Sequence, residues 1–111
     1  MSRAAGQFDR MIQFRVATVT TDEEGVEVES FADGVRAWAR VMFGSGAERR
    51  EASAAGNVQT ATFRTLANLS TRSITRRDGI IFDGNFWGID AISPVGPQGN
   101  EIEFTAKVRN G

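Results

Sequence analysis

Residues 80–92 read IIFDGNFWGIDAI, two apolar runs on either side of Asp83-Gly84. Asp-Gly in that setting specifies a tight β-hairpin. Both central residues of a type I′ turn need positive φ, which Gly and Asp tolerate. With Asp83-Gly84 at the turn, Phe82 faces Asn85, Ile81 faces Phe86 and Ile80 faces Trp87. Opposed residues share a sheet face, and side chains alternate along each strand. One face then carries Ile80, Phe82, Trp87, Ile89 and Ala91, the expected core side. The other carries Ile81, Phe86, Gly88, Asp90 and Ile92. A small domain has one interior, so apolar residues on both faces call for a second cover: another sheet or another subunit. Ile81, Phe86 and Ile92 are therefore candidates for a subunit interface.

Outward from the hairpin the chain keeps the same alternation. Residues 9–19 place Ile12, Phe14 and Val16 on one side and Gln13 and Arg15 on the other, a first strand. Asp22, Glu23, Glu24 and Gly25 mark a turn. Residues 26–31 follow, with Val26 and Val28 expected inward and Glu27 and Glu29 outward, an acidic face that suits an exposed edge. Ala32-Asp33-Gly34 reads as another turn. Residues 35–43 then form a long strand with Val35, Ala37, Ala39, Val41 and Phe43 on an apolar face and Arg36, Trp38, Arg40 and Met42 opposite. Trp38 between two arginines reads as a half-buried ring covered by their stems, and as a further interface candidate. Residues 57–66 return to strand character. Ser93 to Gly99, with Pro94, Gly96, Pro97 and Gly99, reads as a loop that stops pairing. Residues 100–109 close the fold with Ile102, Phe104, Ala106 and Val108 inward.

Three stretches break the pattern. Residues 1–7 are small and polar, an expected mobile arm. Residues 44–56, GSGAERREASAAG, are small, charged and flanked by glycine. Ser45 with Glu48 fits a capping box and Gly56 a helix stop, so a short helix over 47–55 forms if a partner packs on it. The alternative is a surface loop. Residues 67–78 form a connection carrying Arg72, Arg76 and Arg77. These either solvate a loop or contact a phosphate or acidic neighbour. The sum is an all-β chain: a small antiparallel β-barrel or sandwich of about six strands with one short helix or long loop excursion.

The composition narrows the chemistry. The 111 residues include 13 basic and 14 acidic side chains, for a net charge of −1, and are 41% hydrophobic. One domain of this size buries a core without staples. The charge balance disfavours a dedicated nucleic-acid binder. With no cysteine and no histidine, disulfides, thiolate sites and the commonest general base are excluded. Lys107 is the only lysine, so a serine nucleophile has no evident base. The carboxylates at Asp22, Glu23, Glu24, Glu101 and Glu103 sit on an expected turn and a solvent face. Asp83-Gly84-Asn85 lacks the further ligands of a calcium loop, and Gly44-Ser45-Gly46 lacks the Walker lysine. No catalytic site, metal site or cofactor is expected. No stretch is apolar enough to span a bilayer, so the expected setting is cytoplasm-like or an assembled particle.

The residues do resemble a family. Gln7-Phe8-Asp9-Arg10-Met11-Ile12 resembles the opening of bacteriophage head–tail joining proteins. The same family is resembled by residues 22–25, Phe31 and the run Val35-Arg36-Ala37-Trp38-Ala39-Arg40-Val41, with Phe31 standing where tryptophan is usual. The hairpin with Ile80-Ile81-Phe82-Asp83-Gly84 and Phe86-Trp87-Gly88-Ile89 resembles it again, in the same order along nearly the whole chain. The arginine-rich residues 67–78 depart from it, since a proline-containing turn is common there. The resemblance implies a head-closure or stopper protein of a tailed phage, prophage or gene transfer agent, located in the particle neck and assembled in a bacterial cytoplasm. It implies a homo-oligomeric ring, hexamer or dodecamer, between the portal–adaptor complex and the tail terminator protein. Double-stranded DNA would pass through non-specifically, with no membrane involved. By position, residues 44–56, with Gly44, Ser45, Glu48, Arg49, Arg50 and Glu51, would project into or line the channel. Arg72, Arg76 and Arg77 would contact neighbouring subunits, ring partners or DNA. Two other readings stay open: a small oligonucleotide-binding barrel, which needs aromatics on a basic groove, and a tail-completion or terminator protein of similar size.

Overall fold

The computed structural model describes residues 8–44 and 58–109. Six strands run in the order β1 (Arg10–Thr21), β2 (Glu27–Phe43), β3 (Val58–Leu66), β4 (Gly79–Phe82), β5 (Asn85–Val95) and β6 (Glu101–Arg109). A one-turn helix, α1 (Leu69–Arg72), lies between β3 and β4, and a 3-10 turn (Pro97–Gly99) joins β5 to β6. All neighbours are antiparallel, and the order β1-β2-β3-β6-β5-β4 closes on itself as a barrel.

The Asp-Gly turn is where the sequence puts it. Asp83 and Gly84 adopt φ of 55° and 78°, and Ile80, Ile81 and Phe82 pair with Trp87, Phe86 and Asn85. Ile80, Phe82, Trp87 and Ile89 are buried, and the Trp87 indole N–H donates to the Phe82 carbonyl at 3.2 Å. They meet Ile12 and Phe14 of β1, Ala61 and Phe63 of β3, and Ile102, Phe104, Ala106 and Val108 of β6 in one core. The rings meet edge-on: Phe14 with Phe104 at 5.1 Å, and Phe63 with Phe82 and Trp87 at 5.6 and 5.5 Å. Such pairs contribute about 0.5–1.5 kcal/mol each beyond the area they bury. Arg10 closes one end, its guanidinium 4.9 Å from the Phe82 ring centroid.

Two β-bulges correct the sequence reading. The first replaces the expected turn at 32–34. β2 runs unbroken through 17 residues. Its register against β1 slips between Gln13↔Arg36 and Arg15↔Asp33, so Gly34 and Val35 together oppose Phe14. Gly34 marks a close approach rather than a reversal: a Cβ there would lie 2.7 Å from Val16 Cγ2. The bulge frees carbonyls, and the Gln13 amide takes them, donating to Gly34 O at 2.6 Å and Phe14 O at 3.0 Å. The second bulge inserts Asp90 between Ile89↔Ala106 and Ala91↔Thr105. One extra residue exchanges the faces beyond it. Ala91 is exposed, and Ile92, opposite Phe104, packs against the core. The expectation that Ile92 shares the outer face with Ile81 and Phe86 is thereby corrected.

A third correction concerns residues 93–95, which continue β5 instead of ending it: Pro94 opposes Ile102. Past Gly88, β5 pairs with β6 alone, and a strand with one neighbour can accommodate the missing proline N–H.

β1 and β2 outgrow the barrel. β2 meets β3 only over Arg40–Phe43, and β1 meets β4 only over Gln13–Arg15. Beyond these contacts, among the described residues, they pair with each other alone, as a two-stranded ribbon out to the turn at residues 22–26. Six residues of β1, from Val16 to Thr21, carry it roughly 20 Å at the ordinary rise of a strand. Val26 and Val28, expected to point inward, are 55% and 45% exposed, because the ribbon has no interior.

Candidate interaction surfaces

The outer wall of the barrel carries an apolar strip. Met11 of β1 opposes Trp38 of β2, and each is 42% exposed. Two residues along β1, Gln13 opposes Ile81, which in turn opposes Phe86. Phe86 lies over Gly79, where a Cβ would collide with its ring, and meets the Phe31 ring edge-on at 5.0 Å. Arg36 and Arg40, both exposed, sit two residues from Trp38 on each side. Three of the interface candidates, Trp38, Ile81 and Phe86, thus share this wall, and Ile92 does not.

The connection from β3 to β4 is built rigidly. Asn68 Oδ1 accepts the Thr71 N–H at 2.9 Å and Thr71 Oγ1 accepts the Asn68 N–H at 2.9 Å, a reciprocal cap. The buried Thr71 hydroxyl donates onward to Leu66 O at 2.9 Å, and Ile74 inserts into the core. Asp78, 5% exposed, fastens the far end. Its Oδ1 accepts the Ala17 N–H at 2.8 Å, just past the last β1–β4 pair, and its Oδ2 accepts the Thr75 N–H at 2.7 Å. This frame holds Arg72, Arg76 and Arg77 exposed, and none of the three forms an ion pair among the described residues. Beside Arg72 lies a hollow of about 380 Å³, lined by Thr71, Ile92, Pro94, Gln98, Gly99 and Ile102. The sequence reading missed α1 and this hollow. Asn68 and Thr71, three residues apart after a strand, were the available signal.

Charge is sorted across the fold. On the barrel wall Arg64 reaches Glu103 at 2.9 Å and Glu101 at 3.7 Å, Lys107 reaches Asp90 at 3.2 Å, and Arg15 pairs with Asp33. Glu23, Glu24, Glu27 and Glu29 on the ribbon are exposed and form no ion pair among the described residues. Asp22 accepts the N–H groups of Glu24 and Val26, each at 2.9 Å, which holds the ribbon turn. Among the described residues no group of acidic side chains is arranged to hold a metal ion, and no helix is long and apolar enough to cross a membrane.

Of the expected channel segment only Gly44 is described, its N–H donating to Thr60 O at 3.0 Å. Ser45, Glu48, Arg49, Arg50 and Glu51, the helix expected over 47–55 and the arm over 1–7 lie outside the described residues. The stems of the segment are neighbours, since Phe43 pairs with Ala61.

A family model described as phage head completion protein matches residues 3–109. The chain belongs to the phage head completion protein family. Two solved structures share the fold of this head completion protein. One, from a virion of a native gene transfer agent particle, aligns with a TM-score of 0.67 at 20% identity, covering 88% of this chain and 91% of the other. The second, the solution structure of protein SF1141 from Shigella flexneri 2a, aligns with a TM-score of 0.70 at 18% identity, covering 96% of each chain. No curated protein matches the chain. As a phage head completion protein, it is a structural virion component that acts in closing the head. The surfaces described above are thus surfaces of an assembling part.

Proposed function

We propose that copies of this head completion protein associate head to tail into a ring, a hexamer or dodecamer. The ring would sit between the portal–adaptor complex and the tail terminator, close the filled head and leave a passage for DNA. One observation carries the reading: a single barrel presents an apolar outer wall around Trp38 and Phe86 and, toward the turn at residues 22–26, a ribbon whose two edges pair with no further strand among the described residues. Two unlike surfaces on one chain support heterologous contacts, which generate a ring when the rotation closes. The net charge of −1 suits a conduit, because strong phosphate binding would hold the DNA in place. Residues 44–56 are proposed as the channel element; adjacent stems on β2 and β3 suit a segment that projects from one end of the barrel. The protein acts by shape and contact rather than by catalysis.

Electron microscopy of purified particles tests this. The expected result is a ring of this protein at the neck, and particles lacking the protein should lose DNA and fail to acquire tails. Particles without it that keep their DNA and gain tails would overturn the proposal.

Trp38 favours one other reading. An exposed ring with arginines at 36 and 40 is a stacking platform for single-stranded nucleic acid. Salt-dependent binding of oligonucleotides by the free protein, lost in Trp38→Ala, would support it.

A further inference from the structure

We propose that the ribbon turn of one copy seats in the hollow beside α1 of the next copy, Glu23 and Glu24 meeting Arg72 and Arg76 while Val26 enters the apolar floor. The inference rests on the ring reading and names one of its contacts. The hollow supplies the first half of the argument. Ile92, Pro94 and Ile102 make its wall apolar, and Arg72 stands at its rim with Arg76 and Arg77 on the same connection. It therefore suits a segment in which carboxylates flank a small apolar side chain. Glu23-Glu24-Gly25-Val26 is such a segment, with Val26 55% exposed and no basic residue anywhere between Val16 and Val35.

The second half is preorganisation. The reciprocal cap at Asn68 and Thr71 and the Asp78 clasp hold the arginine connection. The bonds from Glu24 and Val26 to Asp22, with Gly25 N–H to Asp22 O at 3.0 Å, hold the ribbon turn. Two surfaces that are already ordered lose little freedom on docking. Opposed charges fix partner and direction, since two turns or two arginine connections repel each other. The contact is heterologous and so propagates around a ring.

Absence of native cysteine gives a direct test. A chain carrying both Val26→Cys and Gln98→Cys, assembled into particles and oxidised, should yield a covalent ladder of this protein up to the ring size. Neither single variant should yield one. If microscopy shows the ring but no ladder forms, or if the cysteines link to a different particle protein, this contact is wrong and the ring stands. If no ring is seen, the ring reading itself fails. In parallel, Glu24→Arg and Arg72→Glu should each lower the yield of tailed particles about tenfold or more, and the double exchange should restore most of it. Failure of the double exchange to restore, or DNA leakage from Arg72→Glu particles whose ladder is intact, would overturn the assignment.

Discussion

The barrel half and the ribbon half of β2 carry nearly the same pattern. Val35, Ala37, Ala39 and Val41 alternate with Arg36, Trp38 and Arg40 and pack on or in the core. Val28, between Glu27 and Glu29, alternates just as regularly, and both it and Val26 of the adjoining turn are half-exposed. The difference is what lies across from each. In the barrel, β3, β6, β5 and β4 curl round to supply a second surface. In the ribbon beyond Phe31 only β1 is present, so neither face there has an inside. Alternation reports a strand; burial needs closure.

The sharpest break between the halves should be energetic. Phe63→Ala removes a ring packed on Phe82 and Trp87 and should cost about 3–5 kcal/mol, read from urea unfolding. A value below 1 kcal/mol would mean the aromatic core is not what holds the barrel. Asp78→Ala strips the acceptor from the Ala17 and Thr75 amides at the join of the two halves. The expected cost is roughly 1–3 kcal/mol, with faster hydrogen exchange at Ala17. Unchanged exchange there would remove the clasp from the account. Gly84→Ala puts a side chain at φ 78°, for about 1–2 kcal/mol. Smallest of all, Val28→Thr on the ribbon should stay within about 0.5 kcal/mol of the parent. Ribbon amides should also exchange faster than those of β6, which has a strand on each side. A large loss from Val28→Thr in the isolated protein would show that the ribbon is covered in solution.

The candidate surfaces were legible in part. Trp38, Ile81 and Phe86 follow from simple alternation and share the outer wall. Ile92 leaves that wall because a single bulged residue, Asp90, reverses the face, and nothing in Ile89-Asp90-Ala91 announces it. Gly34 was visible as a glycine, but turn and bulge use the same residue type. The hollow beside Arg72 draws on three separated stretches, and no local pattern unites them.

Asp83-Gly84 and the two-residue alternation around it were enough to set the hairpin, its register, the inward residues of β6 and the antiparallel barrel class. These rest on backbone preference and side-chain direction, which act between near neighbours. Closure decided the rest: which alternating stretch became interior, where bulges relieved the mismatch, and which charges of the ribbon and the arginine connection form no ion pair among the described residues. Those outcomes depend on residues far apart in the chain meeting in space, a condition that composition and spacing do not encode one stretch at a time.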